Sequence, residues 1–312
     1  MRSACARVAE CARSVRIDRD RLERYAADLP VDEVRSTGAD AFRGVSGSTS
    51  SRVAFVLTLN AINFGSGYFP HLTKRDGMSG YRTLESCLLE RFQLEEQSEP
   101  SELRTMTAPR CAELLNQAMS SPEVRELMQL YARSWRDLGT LVEEHFAGNF
   151  VALVSDASGS AARLVGTLLE MPLYSDLSSY DGRVVPFLKR AQLCVADLAQ
   201  ALAGDLGRFE DLERLTAFAD NLVPHVLRLD GILVYEPGLV ARIERGELIA
   251  SGSPEEIEIR ACAVHAVELL VGELQRRSVE LASHTLDGWL WLRGGAPAFK
   301  AQPRHRTRCT FY

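Results

Sequence analysis

The first candidate for chemistry is a carboxylate, Asp220, in the segment from Phe218 to His225. An amphipathic stretch precedes it, and Pro224 disfavours helical conformation at Val223, so Asp220 should lie near a helix end or bend. A carboxylate there can point into a cleft among backbone groups that the helix leaves free. The same pattern also fits an aspartate that is solvated or that caps a helix. His225 is an isolated histidine, which favours a position in the core or behind a site over a role as a ligand.

A second candidate is a pair of cations, Lys189 and Arg190, in the first turn of an apolar helical stretch that follows Pro186. Cations at a helix N-terminus oppose the helix dipole, so this placement makes more sense when an anion such as a phosphate lies nearby. Asp197 follows about two turns later, on nearly the same face of the predicted helix. Without an anion, the pattern describes a pair of charges on the protein surface.

A third candidate combines a carboxylate with aromatic rings in the stretch Asp287-Gly288-Trp289-Leu290-Trp291. Aromatic faces stack on nucleobases, and a carboxylate can accept hydrogen bonds from the N1–H and amino group of a guanine-like base. Trp289 and Trp291 are two of the three tryptophans in the chain. The alternative is that both rings pack in the core.

Two amides, Asn60 and Asn63, share one face of the apolar run from Val53 to Phe64 and precede a glycine-containing loop. Buried amides need hydrogen-bond partners, so they either contact polar groups of a substrate or hold the following loop, and the second role is favoured. The sequence contains no cluster with metal-ligand spacing, no P-loop, no nucleophile elbow and no dinucleotide fingerprint. It therefore predicts a protein that uses neither a metal nor a cofactor.

Helical periodicity dominates the elements that must position these residues. The stretches Ser253–Glu256 and Ser121–Glu123 each combine a capping serine, a proline and a glutamate, which is typical of a helix start. Strand signals are limited to 233–235 and 247–249. Further helical patterns cover roughly 1–28, 81–93, 108–119, 135–147, 159–170, 186–204 and 210–228.

The pattern predicts an all-α fold, with one helical domain over residues 1–312 or two helical lobes of that domain around a cleft. Residues 1–50 would form an N-terminal helix and loop, and residues 295–312 an irregular C-terminal tail. Glycine, serine and threonine mark loops at 36–51, and glycine and proline mark a loop at 65–80.

Composition narrows the class of protein. The chain has 312 residues, a net charge of −6 and no apolar stretch long enough to span a membrane. Proteins that bind long nucleic acids normally carry a basic face, so the negative net charge favours a small-molecule substrate over a nucleic-acid polymer. Seven widely spaced cysteines without a C-x-x-C pair favour a reducing compartment. The N-terminus lacks the apolar segment of a secretory signal, so we expect a cytoplasmic protein. The oligomeric state stays open.

Taken together, these segments resemble the queuosine-salvage family, whose members release queuine from queuosine 5'-phosphate. The resemblance implies a helical fold similar to helix-hairpin-helix DNA glycosylases, with Phe218 and Asp220 in the active site and Asp287 in contact with the base. The sequence departs from the family pattern at Gly288, where relatives tend to have an aromatic residue, and at Leu292, where they tend to have an acid. The matching stretches, in the family's order, are Asn60–Phe64, Gly80–Tyr81, Phe187–Asp197, Thr216–Asp220 with Pro224, Glu258–Cys262, Asp287–Trp291 and His305–Cys309.

The implied reaction is hydrolysis of the N-glycosidic bond of queuosine 5'-phosphate, which gives queuine for tRNA modification and ribose 5-phosphate. Positive charge develops on C1' and O4' of the ribose, and a fixed carboxylate beside that carbon stabilises it. We assign this role to Asp220, which can also orient or deprotonate the attacking water, with Asn221 and His225 behind it. Rival functions are a helix-hairpin-helix DNA glycosylase and a non-catalytic, nucleotide-binding helical module.

The remaining expectations concern binding of the base and the phosphate. Phe218 together with Trp289 or Trp291 would clamp the faces of the base. Lys189 and Arg190 would bind the 5'-phosphate, and a role of Lys189 as a Schiff-base nucleophile is a lesser alternative. Queuine is a 7-deazapurine and has no N7 to protonate, so the departing base must be stabilised at its N3 edge, at O6 or at its substituent.

Overall fold

The computed structural model describes residues 1–38, 42, 44–45, 47–94, 99–202 and 204–312. The described chain is mostly helical with two small sheets, so the all-α prediction is right for the main architecture and the sheets are the correction to it. Part of the loop predicted at 36–51, namely 39–41, 43 and 46, lies outside the described residues. The helices are α1 (Arg2–Cys11), α2 (Arg19–Asp28), α3 (Val31–Ser36), α4 (Thr49–Ala61), α5 (Gly80–Gln93), α6 (Pro100–Arg104), α7 (Ala108–Leu114), α8 (Pro122–Phe146), α9 (Phe150–Asp156), α10 (Ala161–Leu168), α11 (Lys189–Ala201), α12 (Val223–Leu229), α13 (Pro237–Glu244), α14 (Pro254–Arg276), α15 (Ser283–Gly294) and α16 (Pro297–Lys300).

Four short strands form two antiparallel pairs, β1 with β4 and β2 with β3. The strands are β1 (Val15–Ile17), β2 (Leu177–Tyr180), β3 (Arg183–Pro186) and β4 (Leu233–Tyr235). The β2–β3 hairpin turns at Asp181 and Gly182, whose φ angles of 46° and 75° suit a two-residue turn between twisted strands. The strand predicted at 233–235 is confirmed, whereas 247–249 gives only an isolated bridge to Arg306.

The predicted helix starts at Ser121 and Ser253 are confirmed. Ser121 Oγ accepts the N–H of Val124, and Ser253 Oγ accepts the N–H of Glu256, so each side chain satisfies a donor that the helix leaves free. The patterns over 121–131 and 135–147 join into the single long helix α8. Within the described ranges, no helix combines the length and the apolar character needed to cross a bilayer.

The helix predicted over 210–228 is wrong. The chain makes one 3₁₀ turn at Leu212–Arg214, continues without regular helix, and begins α12 only at Val223. The stretch before α12 is held by a distant residue, since Asp287 accepts the N–H of Phe218, and the carboxylate of Asp220 then takes the N–H groups of Leu222 and Val223, which starts a new helix there. The pattern over 1–28 is likewise divided, since β1 separates α1 from α2.

Buried apolar side chains form two clusters. The first is centred on α4, α8 and α11, and the second on α1, α12, α14 and α15 together with the β1–β4 sheet. The non-helical stretch before α12 contributes to both, since Leu215 and Phe218 pack in the first cluster and Ala217 and Ala219 in the second. This stretch therefore runs along the boundary between the clusters and delivers Asp220 there.

The tail predicted as irregular over 295–312 contains the short helix α16 and then runs without regular structure. It is tied to distant parts of the chain, because Ile249 N–H donates to Arg306 O at 2.8 Å and Gly65 N–H donates to Tyr312 O at 2.9 Å. At Gly67 a Cβ atom would lie 2.3 Å from Thr307 O, so only glycine lets the two backbones approach this closely.

Candidate active site

A cavity of about 530 Å³ opens between α5, α11, α15 and the stretch that leads into α12. This volume suits a small organic ligand such as a nucleotide. Six residues predicted from sequence line it: Asn63, Lys189, Phe218, Asp220, Asp287 and Trp291. Its other polar lining residues include Tyr81, Arg82, Glu85, Asp197, Gln200 and His284.

Asp220 lies at the N-terminal end of α12 and at the cavity wall, and it is only 7 % exposed. Its Oδ1 accepts the N–H of Leu222 at 2.8 Å and of Val223 at 2.9 Å, which fixes the side chain at the helix start. Its Oδ2 has no hydrogen-bond partner among the described residues, and so is free for a ligand. Burial raises the pKa of Asp220, and the nearby charge of Lys189 opposes that shift. One side chain thus both holds the backbone at the start of α12 and lies at the cavity.

Asp287 faces the same cavity from α15. Its Oδ1 accepts the backbone N–H of Phe218 at 2.8 Å, so it also fixes the stretch that carries Asp220. Burial, together with the charge of Asp220, raises the pKa of Asp287 well above its usual range. Two carboxyl groups in one dry site cannot both ionise cheaply, so the charge of Asp220 adds to burial in raising the pKa of Asp287, whereas the Lys189 ammonium and two backbone N–H groups oppose the raised pKa of Asp220.

Lys189 is the first residue of α11 and is 5 % exposed. The chain enters the helix through Leu188, which has a φ angle of 51°, and the backbone N–H of Lys189 donates to Asp176 at 3.1 Å. The strongest electrostatic partner of the Lys189 ammonium is Asp220. Burial lowers the pKa of Lys189, and the charge of Asp220 opposes this change. The ammonium therefore supports the ionised form of Asp220.

A buried ion pair lies directly behind these residues. Arg260 of α14 donates to Asp176 at 3.0 and 2.6 Å, and the two side chains are 0 % and 2 % exposed. The same guanidinium donates through Nε to Ala219 O at 2.9 Å. The Arg260–Asp176 pair thus joins the turn that carries Lys189 to the backbone beside Asp220.

Arg190 does not line the cavity, although it neighbours Lys189 in sequence. Its guanidinium is enclosed between the rings of Phe64 and Tyr174, at 4.5 and 4.1 Å from their centroids. It donates to backbone carbonyls and a hydroxyl, and these partners are Leu173 O, Asn60 O, Ala61 O, Thr310 O and Ser134 Oγ. Successive helical residues point about 100° apart, so only one of the two cations can face the cavity.

The two tryptophans of α15 also point to different places. Trp291 lines the cavity and packs edge-on against Tyr81, with ring centroids 5.8 Å apart at 88°. Trp289 lies outside the lining, where its Nε1–H donates to Glu33 at 2.9 Å and its ring lies under Arg293. Of the two rings, Trp291 alone is placed to stack on a ligand in this cavity.

Asn60 and His225 lie behind the wall. Asn60 is fully buried, and its Nδ2 donates to Asp197 at 2.8 Å and to Val56 O, so it orients a cavity residue. His225 is 2 % exposed and its Nε2 lies 2.9 Å from Phe299 O. Burial lowers the pKa of His225 to about 4, which keeps its ring neutral at neutral pH.

Comparison with known proteins adds to this geometry. The model of the family described as queuosine salvage protein matches residues 45–312. The chain belongs to the queuosine salvage family. It is similar to the queuosine 5'-phosphate N-glycosylase/hydrolase of Sphaerobacter thermophilus, at 35% identity over 98% of this chain and 95% of that protein. Proteins of the same name from Mus musculus and Dictyostelium discoideum are 35% and 37% identical, over 60% and 57% of this chain and 58% and 56% of their own lengths.

In this member of the queuosine salvage family, sequence reasoning missed part of the cavity wall. Tyr81, Arg82 and Glu85 come from α5, where Arg82 and Glu85 form an ion pair at 2.6 Å. Tyr81 belongs to a stretch that resembles the family, but for Arg82 and Glu85 the only signal was a helical pattern, which gives no indication of which face meets a cavity. Asp176 and Arg260 were also missed as a pair, since 84 residues separate them. Within the described part of the chain, no group of three His, Cys, Asp or Glu side chains could hold a metal ion.

Proposed function

We propose that this protein hydrolyses the N-glycosidic bond of queuosine 5'-phosphate and releases queuine and ribose 5-phosphate. The observation that carries the proposal is the position of Asp220: its Oδ1 is locked by two backbone N–H groups, and its Oδ2 is left free at the wall of a cavity that also contains Lys189 and Asp287. The relatives' shared name, queuosine 5'-phosphate N-glycosylase/hydrolase, supports the same reaction.

Asp220 is assigned the stabilisation of the oxocarbenium ion. As the bond from C1' to the base lengthens, positive charge develops on the ribose, and a fixed anion in a water-poor site stabilises it more than solvent would. The carboxylate must be ionised for this, and the Lys189 ammonium favours that form. Oδ2 is the oxygen available to orient the attacking water and to take its proton.

Asp287 and the aromatic side chains are assigned to the base. A protonated Asp287 can donate a hydrogen bond to the departing base, which compensates for the missing N7 of a 7-deazapurine. Phe218 and Trp291 line the cavity and supply ring faces for the base. Lys189 is the cation that supports the assignment of a 5'-phosphate site, whereas Arg190 is committed to backbone carbonyls. Similarity of the fold to helix-hairpin-helix DNA glycosylases and a cytoplasmic location stay predictions.

The test is to incubate the protein with queuosine 5'-phosphate and, separately, with the unphosphorylated nucleoside, and to follow release of queuine by mass spectrometry. Asp220→Asn should still bind the nucleotide but lose about 10²- to 10³-fold in kcat, the range for removing one electrostatic stabiliser of a transition state. The matched control is Asp18→Asn, because Asp18 caps α2 in a similar way at 2.9 Å from Arg21 N. The control should keep full turnover. Undiminished turnover by Asp220→Asn contradicts the proposal, and borohydride trapping of a covalent adduct at Lys189 contradicts simple hydrolysis.

A further inference from the structure

The charged side chains that line the cavity are not all paired with a side chain of opposite charge. Arg82 is paired with Glu85 at 2.6 Å, and the Lys189 ammonium has Asp220 as its strongest electrostatic partner, which leaves Asp197 without a cation of its own among the described lining residues. The lysine is 95 % buried, with no hydrogen-bond partner for its Nζ in the described part of the chain. The part of this wall at Asp197 suits a ligand group that carries a positive charge.

Among the three lining aspartates, Asp197 has the weakest electrostatic interaction with the Lys189 ammonium. Among carboxylates, the electrostatic effect on Lys189 is largest from Asp220, then from Asp287, and smallest from Asp197. Asp197 lies eight residues beyond Lys189 on α11, which corresponds to about 12 Å along the helix axis at 1.5 Å per residue. It therefore belongs to the other end of the cavity from the Asp220 carboxylate.

The Asp197 side chain is held in place from behind. Asn60, which is fully buried, donates from Nδ2 to Asp197 Oδ2 at 2.8 Å. The other oxygen, Oδ1, has no hydrogen-bond partner within the described ranges, and the residue lines the cavity. Burial raises the pKa of Asp197 to about 7, against the opposing effects of the Asn60 hydrogen bond and the Lys189 charge. Ionisation of this carboxyl group is costly in the empty cavity, and it becomes favourable when a cation binds beside it.

We propose that Asp197 is the residue that recognises a cationic substituent of the nucleobase, a protonated secondary amine, at the end of the cavity away from the glycosidic bond. The inference rests on the proposed function, since queuine carries such an amine on the methylene group attached to its deazaguanine ring. Gln200, one turn further along α11, lines the same end and supplies an amide for polar groups beyond the amine. Asp220 and Asp287 then act at the ribose and the base, and Asp197 sets which base is accepted.

The test measures binding of free bases, so that it does not depend on turnover. Isothermal titration calorimetry compares queuine with 7-deazaguanine, which lacks the substituent, on the wild type and on Asp197→Asn. The wild type should prefer queuine, and the variant should lose about 10- to 100-fold of that preference, the range for a hydrogen bond to a charged group. Affinity for 7-deazaguanine should stay within about threefold, because asparagine keeps the shape and can still accept from Asn60.

Two controls make the assignment specific. The double variant Arg82→Gln/Glu85→Gln removes the neighbouring ion pair without changing the net charge of the wall and should retain the preference for queuine; loss of the preference there, but not in Asp197→Asn, overturns the assignment. On the wild type alone, a queuine analogue whose amine is converted to an uncharged amide should bind at least about tenfold more weakly than queuine, and equal affinity overturns the proposal without any variant. If queuosine 5'-phosphate is not hydrolysed but the preference for queuine depends on Asp197, the proposed reaction fails and the recognition site stands.

Discussion

Replacement of Asp176 by asparagine tests whether a buried ion pair positions the active site. Asp176 receives two hydrogen bonds from Arg260, at 3.0 and 2.6 Å, and its Oδ2 also accepts the N–H of Lys189. Asparagine has nearly the same shape, but it removes the charge. Whichever way its amide is turned, the NH₂ group faces an N–H donor of Arg260.

The expected loss in the free energy of unfolding follows from the surroundings of the Asp176–Arg260 pair. Breaking a buried ion pair on one side lowers the free energy of unfolding by about 3–5 kcal/mol, because a charge is left without its partner. Here Glu256 lies 3.5 Å from the Arg260 guanidinium and retains part of the compensation. We therefore expect the lower end of that range, about 3 kcal/mol.

The catalytic rate of Asp176→Asn should fall as well. The pair holds the backbone N–H of Lys189 on one side and the carbonyl of Ala219 on the other, so its loss allows the carboxylate of Asp220 to shift. A displacement near 1 Å can cost about 10²-fold in rate, so we expect kcat to drop by at least about tenfold with a smaller change in KM.

The assay is urea unfolding followed by circular dichroism, with kcat and KM measured on queuosine 5'-phosphate. The matched control is Asp181→Asn, five positions along the chain, whose ion pair with Arg13 at 3.3 Å is exposed on both sides. The control should stay within about 0.5 kcal/mol of the wild type, as exposed pairs contribute little. An Asp176→Asn protein that loses less than about 1 kcal/mol and keeps its kcat would refute the reasoning.

The other predictions concern the cavity wall. Lys189→Met removes the stronger of the two cations, Lys189 and Arg304, that oppose the raised pKa of Asp220. The acid limb of the pH–rate profile should therefore move to higher pH, and kcat at pH 7 should fall about tenfold or more; an unmoved limb contradicts the pairing. Trp291→Ala should raise KM about tenfold through lost stacking, whereas Trp289→Phe should lower only the melting temperature. Burial raises the pKa of Asp287 well above its usual range, so turnover should decline as pH rises through that pKa and the proton is lost. Asp287→Asn stays neutral at every pH and should abolish this alkaline limb in the pH–rate profile.

Residues whose role depends on local chain chemistry could be predicted from the sequence. Pro224 placed Asp220 near a helix end or bend, and in the structure Asp220 Oδ1 accepts the N–H groups of Leu222 and Val223 at the start of α12. The argument that a cation at the start of an apolar helix has an anion nearby identified Lys189, which lines the cavity. Both predictions needed only the geometry of a few consecutive residues.

Predictions that needed the phase of a helix were less successful. Lys189 and Arg190 fit the same sequence argument, and so do Trp289 and Trp291, yet one of each pair faces the cavity. The choice depends on how the helix is rotated against its neighbours, and α11 is entered through a left-handed residue, Leu188, which the sequence did not predict. Sequence spacing gives the difference in direction between two residues but not the direction itself.

Contacts between distant segments were not predictable at all. Nothing in the sequence around Asp176 indicates that it meets Arg260, and an arginine within the apolar stripe of α14 signals a buried partner without naming it. The 210–228 error has a related origin. Leu212, Leu215 and Phe218 have helical spacing, but the stretch runs between two apolar clusters and is held by Asp287 rather than by a helix of its own.

The reaction proposed here needs one carboxyl group that is ionised and one that is not, within the same cavity. Two chemically identical side chains can differ in this way only through their surroundings. Asp220 receives two backbone N–H groups and the charges of Lys189 and Arg304, all of which favour its ionised form. Asp287 receives one N–H and a smaller effect of Lys189, and it faces the charge of Asp220, which raises its pKa further. Because a 7-deazapurine offers no N7, the neutral carboxyl of Asp287 is the group from which the departing base can receive a hydrogen bond. The order of the two pKa values is therefore a requirement of the chemistry, and exchanging the surroundings of the two aspartates would remove both functions at once.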